Sequence, residues 1–255
     1  SRGLAHASTG QAFVHLRRGE YPLSIEAYDQ AVTLYQQLGD IPSRLSAQAK
    51  KMMVRIAQKR FDDIWEDHSD LLDQAQSIGA RQQEATLWNI AGEAARYQER
   101  WQQARGCYRR ARDIWRELDS RIRHIAELNL AMVELGAGRF EDARRRFESV
   151  EEGMRRAGLP SRLLRVFLGQ AGCAAGQNDW PGWERALQRI EHQLADNQDR
   201  NTDDPWLAEI AAGHAADRGH PDRARRMYRL ARRLWHDIDE PDRAATVDQK
   251  MARLE

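Results

Sequence analysis

Trp101-Gln102-Gln103-Ala104-Arg105-Gly106-Cys107-Tyr108-Arg109-Arg110-Ala111 sets a large ring, a small residue, a second ring and a second small residue at offsets 0, +3, +7 and +10. On a helix of 3.6 residues per turn these four positions share one face. The same order returns along the chain from Tyr21, Phe61, Phe140, Trp180 and Pro221, so that six starts lie 40, 40, 39, 40 and 41 residues apart. Their +3, +7 and +10 sets read Ser24/Tyr28/Ala31, Ile64/His68/Leu71, Ala104/Tyr108/Ala111, Ala143/Phe147/Val150, Trp183/Leu187/Ile190 and Ala224/Tyr228/Ala231. His68 is the one +7 residue that is neither Phe or Tyr nor bulky aliphatic, and Trp183 stands where the other sets carry a smaller side chain.

Working outward, the residue nine places before each start is Ala12, Met52, Gly92, Ala131, Ala171 or Ala212, mostly small enough for two helices to meet closely. Two places before four of the starts stand Gly19, Gly138, Asn178 and Gly219, which tolerate the left-handed conformation that ends a helix. Each unit therefore reads as helix A, a tight turn, and helix B beginning at the aromatic. Pro22 and Pro221 suit a first helical turn, and Asp204-Pro205 reads as an N-cap followed by proline. No stretch reads as a strand.

This pattern resembles the tetratricopeptide repeat family, in a variety with repeats of about 40 residues. Helix B carries most of the resemblance; in helix A it survives as Trp88-Asn89-Ile90-Ala91-Gly92 and Leu130-Ala131. The resemblance implies an all-α, right-handed α-solenoid over residues 1–255. Its six helix-turn-helix repeats fall at about 4–40, 41–80, 81–120, 121–159, 160–200 and 201–239, with a capping helix at 241–254. Trp180-Pro181-Gly182-Trp183 and the polar stretch from Leu194 to Asp204 are expected to widen or bend the fifth repeat.

Composition narrows the function. Forty Lys+Arg against 39 Asp+Glu leave a net charge of +1, so global charge selects neither nucleic acid nor membrane. With 41% hydrophobic residues the chain can build a core, but it holds no apolar run of the roughly 20 residues a bilayer crossing requires. Two cysteines, Cys107 and Cys173, give no disulfide framework and read as reduced, buried side chains. Together with a start, Ser1-Arg2-Gly3-Leu4, that lacks a basic-then-apolar leader, they lead us to expect a cytoplasmic setting. No phosphate loop, HExxH, GxSxG, paired CxxC or GxGxxG after a strand occurs. No catalytic residue, cofactor or metal site is expected; Asp62, Asp63, Glu66, Asp67, Asp70 and Asp73 read as a solvated acidic face.

A helical array leaves a concave wall lined by its A helices. Carrying the family's groove positions over by register places Phe13, Leu16, Met53 and Ile56 on it, then Asn89, Glu93, Arg96 and Tyr97. Further along come Leu128, Met132, Leu135, Arg165, Leu168, Trp206 and Glu209. That is an apolar trough with a polar centre, suited to an amphipathic helix or an extended peptide. The same apolar spacing equally fits packing against neighbouring A helices, and both readings stay open here. The Lys/Asn/Arg clamp with which some family members grip a chaperone's C-terminal carboxylates is not reproduced. A second candidate surface is the outer stripe Arg105, Arg109, Arg112 and Arg116, repeated as Arg225, Arg229, Arg232 and His236 with Arg226 and Arg233. Guanidinium forks could there meet phosphate or acidic groups.

The expected function is a non-catalytic scaffolding or regulatory module that binds a protein or peptide partner in the trough. The resemblance implies a larger bacterial signalling or defence protein, with a catalytic domain such as a kinase or protease attached. The alternative is a binder of nucleic acid or of a phosphorylated or acidic partner through the arginine stripes, which near-neutral charge disfavours. A small-ligand sensor without a visible motif is a third reading. Membrane partners are not expected.

Overall fold

The computed structural model describes residues 1–120, 122–158, 163–196 and 201–254, with the backbone alone at 195–196. These form thirteen α-helices and no strand among the described residues. The first six are α1 (Arg2–Arg17), α2 (Tyr21–Gln37), α3 (Ile41–Ala57), α4 (Asp62–Ser77), α5 (Arg81–Tyr97) and α6 (Trp101–Glu117). There follow α7 (Arg123–Gly136), α8 (Phe140–Arg156), α9 (Leu163–Gly176), α10 (Trp180–Asp196), α11 (Asp203–Asp217), α12 (Pro221–Asp237) and α13 (Pro241–Ala252). They fall into two compact units, Ser1–Ala126 and Glu127–Glu255, whose boundary lies within α7. The fold class is the all-α helical-repeat solenoid.

All eighteen residues at +3, +7 and +10 are buried, none more than 7% exposed, and so are the six small positions of the A helices. The aromatic stack is thus the seam between the two helices of each pair. At three helix-A glycines, a ring occupies the missing side chain's place. A Cβ at Gly92 would lie 2.7 Å from Tyr108, one at Gly169 2.1 Å from Phe147, and one at Gly176 2.5 Å from Phe140. Unit 1 distributes its core among separate clusters, one around Leu45, Met52, Ile64 and Leu87 and another around Ala111, Trp115 and Ala126. Unit 2 gathers one continuous core from Leu128 to Val247.

The junctions share one backbone solution. Where helix A ends, the N–H two residues past the helix cap returns to a carbonyl five residues back, as in Glu20 to His15, Arg60 to Arg55, Arg100 to Ala95, Arg139 to Glu134, Asp179 to Ala174 and His220 to Ala215. One left-handed residue makes each of these turns possible. It is Gly19, Gly138 and Gly219 at φ 71°, 72° and 76°, and Asn178 at 58°. Lys59 at 59° and Glu99 at 57° occupy the same place without a glycine's freedom.

Two local expectations need correction. Asp204 is not the N-cap of α11, which opens at Asp203; the Asn201 side chain accepts from the Asp203 and Asp204 N–H groups at 3.0 and 3.1 Å, and Asp204 is buried inside the first turn. Of the polar stretch expected to bend the fifth repeat, residues up to Asp196 continue α10, and 197–200 lie outside the described residues. Trp183 is accommodated rather than disruptive, fully buried with its ring 6.2 Å from that of Trp180. Val247 and Ala244 of α13 are buried against the end of unit 2, and Arg225 donates to the Leu254 carbonyl at 2.8 Å.

Candidate functional site

Each A helix turns its small residue toward helix B, so the following residue is rotated about 100° away from that seam. In unit 1 this places Phe13, Met53 and Glu93 at one register position, with Leu16, Ile56 and Arg96 one turn further on. Phe13 is 55% and Met53 40% exposed. Leu16 is half-buried beside Tyr28 and Val54, Ile56 is buried with Met52 and Ile64, and Tyr97 flanks that cluster. The polar group keeps its own hydrogen bonds. Asn89 donates to Glu93 at 3.1 Å; Arg96, only 3% exposed, donates to the Tyr108 hydroxyl at 3.4 Å and sits 4.8 Å over the Tyr97 ring. A guanidinium that deep is held as a fixed cation.

Unit 2 is different, and the trough expected there is corrected. Leu128, Met132, Leu135 and Leu168 are at most 2% exposed and belong to its core. The cause is visible in α9, whose Gly172 lets Leu135 approach so closely that a Cβ there would lie 3.1 Å from Leu135 Cδ2. With small residues on one helix, large ones on the next close the wall. Arg165 donates to Asp204 at 3.1 Å across α9 and α11, and Glu209 accepts from Trp235 Nε1 at 2.6 Å and from Lys250 at 2.5 Å. Burial pushes the Asp204 carboxyl up to about 6, against the opposing pull of Arg165 and Asn201. Trp206 is half-buried against the same core.

The outer arginines lie on the helix faces where the spacing puts them, and several are engaged by their own chain. Arg112 donates to Asp113, Arg225 to Asp222 at 3.1 Å, Arg226 to Glu191 at 2.6 Å and Arg232 to Asp248 at 3.0 Å. Arg110 covers Trp88 at 4.3 Å. Arg109, Arg229, Arg233 and His236 are exposed, and Arg105 is half-buried. Carboxylates interleaved this closely cancel the field that would draw a polyanion. On the acidic helix, Asp67 pairs with Arg55 and Asp63 with Arg60. No group of metal-ligating side chains converges among the described residues, and burial pushes both cysteine thiols upward.

Sequence reasoning missed two features. Leu4, Val14 and Leu23 stand exposed in α1 and α2, at 56%, 45% and 48%. Their signal was the alternation of large and small residues along Leu4, Ala7, Gln11 and Val14, which looks like an ordinary buried stripe. The buried Arg165–Asp204 pair was hidden because an aspartate before proline reads first as a cap.

Among known proteins, residues 82–156 match the family model described as tetratricopeptide repeat. No curated protein matches by sequence. Solved structures of similar fold include a Rap protein complexed with competence and sporulation factor, at TM-score 0.69 and 11% identity over 98% of this chain and 74% of that one. The apo form of RapI gives TM-score 0.72 and 12% identity over 93% and 86%. A putative kinesin light chain from Podosopora anserina with nearly identical TPR-like repeats gives 0.55 and 16% over 78% and 98%.

Proposed function

Because this chain is an array of tetratricopeptide-type repeats, we propose that it is a non-catalytic interaction module that binds a peptide or amphipathic helix along the A-helix wall of unit 1. The repeats themselves support a role in protein interaction. The observation that carries binding along this wall is a pair of large apolar side chains, Phe13 and Met53, left exposed at the same register where α5 carries Glu93, which accepts from Asn89. Apolar anchors beside fixed polar groups are what a helix or extended segment needs for both affinity and register. The structurally similar Rap protein was captured with a factor bound. What carries over to this chain is the shared fold, and with it the availability of an inner wall. We place the module in the cytoplasm as part of a larger bacterial signalling or defence protein with an attached catalytic domain.

The test uses peptides selected from a random display library on the whole chain. Their affinity for a Phe13→Asp/Met53→Asp variant should fall about tenfold or more, since two apolar anchors are replaced by charges that resist burial. Undiminished binding by a variant with unchanged melting would overturn the assignment. Asp at Met132 or Leu135 is not an equivalent test: both are core residues, and the change would unfold unit 2 rather than blunt a surface.

A further inference from the structure

We propose that the inner wall of unit 1 takes an acidic partner segment: apolar residues of the partner rest on Phe13 and Met53, and carboxylate side chains on either side of them pair with Arg17 and Lys50. The proposal rests on the reading of this wall as the binding surface and names the chemistry of what it binds.

In the first two helix pairs, charge is sorted by helix. α1 and α3 carry Arg2, Arg17, Arg44, Lys50, Lys51 and Arg55 and no Asp or Glu, whereas α2 and α4 carry Asp and Glu and no Lys or Arg. The chain itself holds most of these cations. Lys51 donates to Asp29 of α2 at 2.6 Å, Arg44 to Gln74 of α4 at 2.7 Å, and Arg2 pairs with Asp40 at 3.3 Å. Arg55 pairs with Asp67 of α4 and donates to the Asp63 carbonyl at 3.1 Å. The imidazoles of α1 are engaged as well, His6 with the Tyr35 hydroxyl at 3.0 Å and His15 with Glu20 at 2.6 Å. Arg17 and Lys50 remain, both exposed and without an ion-pair partner among the described residues.

Both stand beside the apolar anchors. On α3, Lys50, Met53 and Ala57 follow at i, i+3 and i+7 and all three are exposed, while Lys51 and Arg55 reach the B helices from another face. The strip is open although α3 packs against α2, α4 and α5, so its exposure belongs to the wall and not to a chain end. On α1, Arg17 follows Phe13 by four residues and shares its face. Lys50 thus lies about 4.5 Å along its helix on the N-terminal side of Met53, and Arg17 about 6 Å on the C-terminal side of Phe13. At the equivalent register α5 carries Glu93, which accepts from Asn89, so the basic stretch ends after α3.

A carboxylate brought to such a cation gains an opposite charge for the water it gives up, while a lysine or arginine there is repelled. Because the two cations flank the apolar strip from opposite ends, they call for acids on both sides of apolar residues. A single chain terminus does not supply that.

The experiment selects peptides from a random display library on the whole chain and measures fluorescein-labelled synthetic copies by anisotropy. The selected peptides should carry Asp or Glu on both sides of apolar residues and weaken as salt is raised. They should bind Arg17→Glu/Lys50→Glu about tenfold or more weakly, with Arg17→Gln/Lys50→Gln in between, and lose binding when their acids are replaced by lysine. Circular dichroism melting confirms that the variants are folded. Peptides that lose affinity for Phe13→Asp/Met53→Asp but lack acids, or are indifferent to Arg17→Glu/Lys50→Glu, overturn the acidic preference and leave the wall assignment standing. Peptides indifferent to Phe13→Asp/Met53→Asp, or a library that yields no binder, overturn the wall assignment and this inference with it.

Discussion

At the scale of single residues, the positions where the repeat's chemistry is violated are the informative ones. Glu99 and Lys59 hold left-handed turns that cost a residue with a Cβ about 1–2 kcal/mol, while glycine gives back about 0.5–1 kcal/mol by its freer unfolded chain. Glu99→Gly should therefore stabilise unit 1 by about 0.5–1 kcal/mol, seen as a rise in the urea midpoint without a change in slope. Gly169 is the opposite case. Alanine would gain up to about 1 kcal/mol of helix propensity, but its methyl would lie 2.1 Å from the fully buried ring of Phe147, and overpacking costs about 1–3 kcal/mol. A net loss is expected, smaller when Phe147→Leu is made with it. His68 is buried beside Trp65 and Trp88, and burial pushes its pKa below the ordinary imidazole value. A base depressed in the folded state lends stability that is present above the unfolded pKa and is lost as pH falls through the folded one. The drop in unfolding free energy between pH 7 and pH 5 should thus be smaller in His68→Leu than in the parent chain.

Between helices, the Asp204–Arg165 pair ties α11 to α9, and its titration runs the other way. A carboxyl raised to about 6 favours the folded state when protonated, so its contribution is complete below the unfolded value near 4 and fades as pH rises through 6. Compared with Asp204→Asn, the parent chain should lose about 2 kcal/mol of relative stability between pH 4 and pH 7.5, measured by denaturation at each pH. Such a pair is not legible in the sequence, because it joins residues 39 apart whose burial depends on how closely two helices approach. The B helices were legible almost to the residue, since one turn of periodicity fixes both the helix and the face it buries. The A-helix wall was legible only in part. The same Leu and Met spacing gives exposed Met53 in α3 and sealed Met132 in α7, and what seals a wall residue lies on the neighbouring helix, as Gly172 of α9 against Leu135 shows.

For the whole chain, the two units answer differently to the same kind of change. A charge at Phe13 or Met53 replaces an exposed side chain and should shift the melting temperature little, while aspartate at Met132 or Leu135 places an unpaired charge in a continuous core and should abolish cooperative melting of unit 2. Differential scanning calorimetry of the four single variants distinguishes these outcomes. The backbone junction common to every described A–B turn has a consequence for descent. Since the turn is closed by main-chain groups and accepts Gly, Asn, Lys or Glu at its left-handed residue, the genetic gain or loss of a whole 40-residue block would leave the joints on either side intact.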